Sequence, residues 1–298
     1  MNSNYVPRIE SRSGIERSLD NSFYWIAKIL AFAVAGVLIW ITIQVAIAAM
    51  PAIQEFGLSF LVSSSWNPVN SQYGVWPAIY GTLVSSLIAL AISVPIGLGV
   101  SIFLSEDYLP PAVQRILVFL VELLAAVPSV VYGLWGIFVL IPFLKGFTAL
   151  KGPGMLPAAL ILSVMILPTI AVISRDAITS VDQGLRQAAI GLGATRWEAI
   201  IQIVLPAASS GIIGGIMLAL GRALGETMAV TMLIGNSNQV NPSVFAPSNT
   251  ISSLLANQFA EASGLQVAAL MYAALILFFI TLVVNVLAHL LVTRLQRI

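Results

Sequence analysis

Long apolar runs separated by short polar breaks organise this chain, and six of the runs are long enough to cross a membrane: residues 23–50, 78–104, 116–144, 155–174, 207–234 and 267–292. About 20 helical residues span about 30 Å of hydrocarbon. None of the six shows the strict apolar/polar alternation of a membrane barrel, and a backbone in lipid must bond within its own segment, so each run is predicted to be a helix. The expected fold class is therefore all-α, a polytopic membrane protein with six transmembrane helices. The expected organisation is a tail over residues 1–22, a first transmembrane helix over 23–50, a loop over 51–77, a transmembrane core over 78–292 and a second tail over 293–298.

Composition agrees with lipid as the main solvent. Of 298 residues, 59% are hydrophobic and 8% charged, with a mean hydropathy of +0.98; a soluble domain carries about 25% charged residues. Ala46-Ile47-Ala48 has the small-residue look of a signal-peptide cleavage site, but the run before it far exceeds the roughly 7–15 apolar residues of such a peptide, so a retained helix is expected. The chain has no cysteine, which excludes disulfides, thiolate metal sites and thiol chemistry.

Basic residues orient the bundle. Arg8, Arg12, Arg17 and Lys28 precede or open the first run, Arg115 lies between the second and third, Arg175, Arg186 and Arg196 lie between the fourth and fifth, and Arg294 and Arg297 follow the sixth. All fall on one side, against Lys145 and Lys151 on the other. The positive-inside rule then predicts that both termini and the segment at about 175–206 are cytoplasmic. On the opposite side, residues 51–77 and 235–266 are rich in Pro, Asn, Ser and Gly and predict short helices and turns, either as plain connections or as a docking surface for an extracytoplasmic solute-binding protein.

Charge inside the apolar runs is scarce and expensive, so each instance is a candidate for function. Glu122 lies in the third run; Arg222 and Glu226 lie in the fifth, four residues apart and so predicted to share a helix face. An Arg at the bilayer centre costs about 2.5–3.5 kcal/mol on insertion scales unless it meets a partner or water. Two readings stand: a permanent Arg222–Glu226 pair serving packing, or an Arg222 that offers its fork to an oxyanion in a translocation path. Glu122 pairs with Arg222 or Arg115, caps a helix or snorkels. Gly211, Gly215, Ala219 and Ala223 put a small residue at every fourth position, a pattern for close helix packing, and Gly221 and Gly225 form a second such pair. Pro95, Pro128 and Pro168 are each expected to kink a helix.

The polar segment before the fifth run carries a spaced motif: Gln187-Ala188-Ala189, three residues, Gly193, nine residues, Ile203, one residue, Leu205-Pro206. Ala188 and Ala189 favour helix, Gly193 suits a left-handed helix end, and a second amphipathic stretch over 197–204 is expected to follow. This spacing resembles the EAA loop of ABC importer permeases, with Gln187 where Glu is usual; the amide keeps a hydrogen bond and loses its charge assistance. Further runs extend the resemblance. Tyr80-Gly81-Thr82-Leu83 with Pro95-Ile96-Gly97 is similar to the opening of the type I importer permease core. The segments 126–133 (AVPSVVYG) and 221–230 (GRALGETMAV) resemble phosphate-specific permeases, and Trp66-Asn67-Pro68 with Met228-Ala229-Val230 is more similar to the PstC kind than to PstA.

What the resemblance implies is a bacterial cytoplasmic-membrane subunit that passes inorganic phosphate through a binding-protein-dependent importer. Its implied partners are a PstA-like permease, two copies of a PstB-like ATP-binding subunit and a PstS-like extracytoplasmic phosphate-binding protein. ATP and Mg would be bound by the ATPase partner, with no cofactor in this chain. Consistent with that division, the sequence holds no GxxxxGK[ST] phosphate loop, no His or carboxylate cluster for a metal and no Ser-His-Asp grouping. The single histidine, His289, is expected at the cytoplasmic end of the sixth run. A permease for another oxyanion such as sulfate or molybdate stays open, as does an ion-coupled secondary transporter in which Arg222, Glu226 and Glu122 relay charge. A structural scaffold would explain neither the motif nor the buried charges.

Overall fold

The structure, a computed structural model, describes the backbone of residues 14–295 and the side chains of residues 21–290. Arg8, Arg12 and Arg297 lie outside the described residues, as do the side chains of Arg17 and Arg294. Contacts divide the chain into two units, residues 1–47 and 48–298. The first helix, α1 (Gly14–Phe56), continues past Met50 and carries Pro51 in its interior. In the first unit its apolar side chains, including Phe23, Phe32 and Trp40, are exposed, as expected of a helix whose solvent is lipid. There Lys28 Nζ sits 4.8 Å from the Tyr24 ring centre and 5.4 Å from that of Trp25, the cation–π and aromatic chemistry of a membrane–water boundary.

In the second unit the last turns of α1 are followed by α2 (Ser59–Val62) and by a minimal antiparallel hairpin, β1 (Trp66–Asn67) with β2 (Gln72–Tyr73). Asn67 closes that hairpin by accepting from the amides of Val69 and Asn70 at 3.0 and 3.2 Å. The long helices α3 (Trp76–Ser105), α7 (Met155–Thr179), α10 (Leu205–Gly225) and α13 (Leu265–Leu295) build the bundle. The central one is α7: Ile161, Leu162, Met165, Ile166 and Ile170 are all buried. Ser93 of α3 donates to the Ser163 carbonyl of α7 at 2.8 Å, and a Cβ on Gly97 would come within 2.9 Å of Ile170.

The small-residue stripe of α10 faces α7. A Cβ on Gly211 would stand 2.5 Å from Ala177 Cβ, and one on Gly215 3.1 Å from Ile173 Cβ; Ala219 and Ala223 are buried on the same line. Small side chains bring two backbones together, and packing then replaces the hydrophobic drive that lipid lacks. The pair Gly221 and Gly225 behaves otherwise, with nothing within 4 Å of either.

Among the described residues, five helices are long and apolar enough to span a membrane, and a bent pair makes up to six. Prolines explain where the expected third span differs. It consists of α4 (Pro111–Ala126) and, beyond a 90° bend, α5 (Ser129–Trp135), a π-helical turn (Gly136–Leu140) and α6 (Ile141–Lys145). The bend falls at Val127-Pro128, where the proline ring drives the residue before it out of the helical region; Val127 has φ −65° and ψ 128°. By contrast, Pro95 and Pro168 lie inside uninterrupted helices. The fifth span is also broken: α10 ends at Gly225, Glu226 is extended with φ −65° and ψ 124°, and a separate α11 (Met228–Leu233) follows.

Residues 235–266, expected to hold short helices and turns, contain α12 (Ile251–Gln258), and part of the segment packs into the bundle, with Ser248, Asn249, Thr250, Ser252 and Ser253 buried. Its polar atoms are paired locally and across the fold: Thr82 of α3 accepts from the Ile251 amide at 3.0 Å, and Ser253 donates to Asn236 at 2.6 Å. Gly81 makes the approach possible, since a Cβ there would lie 1.9 Å from the Asn249 carbonyl oxygen.

Candidate functional site

Two places carry the residues singled out in the sequence. One is the polar segment between α7 and α10, which folds as a helical hairpin, α8 (Gln183–Gly191) then α9 (Arg196–Ala199). Asp182 caps α8 by accepting from the Gly184 amide at 2.7 Å. At its other end the amides of Gly193 and Ala194 reach back to the carbonyls of Ile190 and Ala189 at 3.0 and 3.1 Å, and Gly193 has φ +94°. Together these form a Schellman helix end, which needs a left-handed residue and explains glycine there. A capping box opens α9, with the Glu198 carboxylate accepting from the Thr195 amide at 2.7 Å and the Glu198 amide donating to Thr195 Oγ1 at 3.3 Å.

A π-helical turn (Ile200–Val204) joins α9 to α10. Pro206 lies two residues beyond it, and Pro142 lies two residues beyond the turn of 136–140. A proline inside a helix has no N–H to donate and crowds the carbonyl four residues back; Gln202 and Phe138, the two carbonyls concerned, both fall inside the widened turns. Within the hairpin Ala189 is buried, Ile203 and Leu205 are half-buried, and Gln187, Ala188, Gly193 and Pro206 are exposed. The motif thus supplies both an inner packing face and an outer rim. At the rim Leu192 is 91% and Trp197 57% exposed, and Leu185 and Ile190 of α8 are exposed as well, so the segment presents several large apolar side chains.

The hairpin is tied to the bundle by charge. Arg186 pairs with Glu106, just past α3, and also donates to the Ile178 carbonyl at 3.0 Å in the last turn of α7. Beside it, Gln114 and Arg175 both donate to the Leu104 carbonyl at 2.6 and 3.2 Å, satisfying one orphan acceptor at the end of α3. A cavity of about 350 Å³ lies between Glu106, Asp107, Arg186, Gln187 and Arg196.

The second place is a cavity of about 490 Å³ lined by Thr169 of α7, Met217, Leu218, Gly221 and Arg222 of α10, and Asn285 of α13. Arg222 forms no ion pair with Glu226 among the described residues. The shared helix face does not exist, because α10 ends between them and the extended Glu226 is carried past the helix end, where its carboxylate approaches the Ala229 amide at 3.5 Å. Glu122 is exposed on α4, and it too has no ion pair among the described residues. Arg115 donates to the Pro111 carbonyl at 3.2 Å. Sequence reasoning missed Glu106, Thr169, Leu192 and Asn285; a search for uncharged polar residues inside the apolar runs would have found Thr169 and Asn285.

The model of the family described as "Binding-protein-dependent transport system inner membrane component" matches residues 93–297, a stretch that takes in the hairpin and the Arg222 cavity. The chain belongs to this family. Its relatives among the binding-protein-dependent inner membrane components extend over nearly the whole chain. The phosphate transport system permease protein PstC of Mesorhizobium japonicum is 42% identical, covering 93% of this chain and 91% of that protein. The PstC protein of Haemophilus influenzae is 41% identical, covering 94% and 95%, and that of Xylella fastidiosa 39%, covering 100% and 99%. Solved structures share the fold of these inner membrane components. A bacterial alginate ABC transporter in complex with an alginate-bound periplasmic protein aligns with TM-score 0.63 over 94% of this chain and 97% of that one, at 19% identity. An amino acid ABC transporter aligns with TM-score 0.53 over 73% and 92%, at 20% identity.

Proposed function

We propose that this chain is the path for inorganic phosphate in an importer whose ATP is hydrolysed by a separate subunit. The observation that carries the reading is the near full-length likeness to proteins named phosphate transport system permease at 42%, 41% and 39% identity. The chemistry of the second cavity supports it. An arginine in an apolar span costs about 2.5–3.5 kcal/mol unless it faces water or a partner, and Arg222 opens onto a cavity whose lining, among the described residues, holds no carboxylate. Its planar fork suits a tetrahedral oxyanion held by two parallel bonds. Glu226, beyond the helix end, limits the local positive potential without occupying the fork, so that a bound anion is still free to leave. Glu122, exposed on α4, is assigned to the wet side of the same path.

The hairpin supplies the coupling element. Gln187, Ala188, Ala189, Gly193, Ile203, Leu205 and Pro206 shape it, and the exposed Leu192 and Trp197 offer an apolar contact to an ATP-binding subunit on the cytoplasmic face. The basic residues favour that face for the hairpin and for both termini. On this reading the partners are a PstA-like permease, a PstB-like ATPase dimer that binds ATP and Mg, and a PstS-like phosphate-binding protein delivering from outside a bacterial cytoplasmic membrane. Arg222→Gln and Arg222→Lys in the reconstituted complex test the path. Loss of one charge-assisted bond is expected to lower phosphate uptake about tenfold or more in Arg222→Gln, with partial activity in Arg222→Lys and stimulated ATP hydrolysis retained by both. Parent-level uptake by Arg222→Gln would return Arg222 to a packing role.

A further inference from the structure

Arg222 does not face its cavity alone. Thr169 and Asn285 line it from two other helices, and neither side chain, nor that of Arg222, has a hydrogen-bond partner among the described residues. Elsewhere in the bundle the hydroxyls of Thr82, Ser85, Ser93 and Thr231 return to carbonyls of their own helices at 2.7, 2.6, 2.7 and 2.7 Å, whereas the buried hydroxyls of Ser86 and Ser174 lack partners singly and away from any such convergence on one cavity. A polar group in an apolar span that leaves its bonds unmade pays for desolvation. Three such groups, brought from α7, α10 and α13 to one cavity, mark a place where the missing partner is a ligand or water. The other lining residues, Met217, Leu218 and Gly221, offer no competing side-chain polar atom.

The three groups divide the chemistry of recognition between them. A guanidinium only donates; an amide both donates and accepts, and so does a hydroxyl. At neutral pH inorganic phosphate keeps at least one hydroxyl, which needs an acceptor, whereas sulfate keeps none. We infer that Thr169 and Asn285 complete the Arg222 site as specificity-determining residues, taking the hydroxyl of a protonated oxyanion while Arg222 holds its anionic oxygens. Glu226 does not line this cavity, so the acceptor role falls to the neutral pair. A neutral acceptor binds the phosphate hydroxyl without repelling the charge that Arg222 attracts.

The inference rests on the phosphate path proposed above, and one experiment separates the two. In the reconstituted complex, phosphate delivered per ATP hydrolysed is measured for Thr169→Val, Thr169→Ser, Asn285→Leu and Arg222→Gln, with binding-protein-stimulated ATP hydrolysis as the check on assembly and coupling. Thr169→Val and Asn285→Leu are expected to lower delivery per ATP roughly fivefold or more, and Thr169→Ser to stay within about twofold of the parent. Should Asn285→Leu fail the assembly check, Asn285→Asp takes its place: a carboxylate beside Arg222 repels the anion and produces the same fall. Parent-level delivery by Thr169→Val and the Asn285 variant, beside a failing Arg222→Gln, overturns the assignment and leaves Arg222 on the path. An equal loss in Thr169→Ser and Thr169→Val overturns it as well, since shape rather than the hydroxyl would then matter. Parent-level delivery by all the variants, Arg222→Gln included, overturns the path itself.

Discussion

Arg186, at the heart of α8, pairs with Glu106 just beyond the end of α3, and the same guanidinium holds the Ile178 carbonyl of α7. Three elements meet on one side chain. A push on the α8–α9 hairpin is therefore transmitted to two bundle helices by a rigid, charge-assisted contact rather than through a loose loop. The two side chains are 20% and 16% exposed, so water screens the pair only in part.

Removing either partner leaves the other half-buried and uncompensated. Glu106→Gln and Arg186→Gln are each expected to cost about 1.5–3 kcal/mol, read as a fall in the unfolding midpoint of the detergent-solubilised complex. The double variant should cost less than the sum of the two, because its members share one contact. Purely additive losses would mean that the pair does not act as a unit.

At the hairpin rim the expectation is the reverse, a functional loss without a structural one. Leu192→Ser and Trp197→Ala remove exposed side chains, so stability should move by no more than about 0.5 kcal/mol. Co-purification of the ATP-binding subunit should nevertheless drop sharply. Unchanged co-purification with both substitutions would place the docking contact elsewhere on the chain.

Gly193 tests the turn itself. With φ at +94°, a residue with a branched side chain is strained there by about 1–2 kcal/mol, so Gly193→Val is predicted to loosen the α8 end and impair ATPase docking, with Gly193→Asn milder. Limited proteolysis at residues 192–195 provides the readout: faster cleavage of Gly193→Val is expected, and an unaltered pattern would show that the turn accepts the change.

Between α10 and α7 the tolerance is smaller still. An added methyl at Gly211 meets the Ala177 methyl at 2.5 Å, and Gly211→Ala should destabilise the bundle by about 1–3 kcal/mol through overpacking. Gly221→Ala, where nothing lies within 4 Å, is the matched control and should leave thermal stability near the parent value.

Local chemistry made much of this legible in the sequence. Runs of apolar residues announce helices because lipid forbids any other lone segment, and the spacing from Gln187 to Pro206 encodes a helix end, a turn and a return. Pro128 marked a real bend, with Val127 extended before it, whereas Pro95 and Pro168 are absorbed in continuous helices, so proline in an apolar run does not by itself tell a bend from a continuous helix. The break after Gly225 was hidden because the four-residue spacing of Arg222 and Glu226 assumes an unbroken helix, whereas α10 ends at Gly225 and Glu226 is extended. The return of Ser248–Ser253 into the bundle was equally unreadable, since a polar segment looks like a surface loop until Thr82 and Gly81 are seen to receive it.

The central claim is that this chain moves phosphate at the expense of ATP hydrolysed elsewhere. Its most direct test is uptake of labelled phosphate by vesicles holding the chain with its permease and ATPase partners, with phosphate-binding protein outside, comparing ATP inside against an imposed proton gradient without ATP. Uptake that needs ATP and the binding protein, and ignores the gradient, is the predicted result. Uptake that follows the gradient in the absence of ATP would contradict the account and make Arg222, Glu226 and Glu122 members of an ion relay.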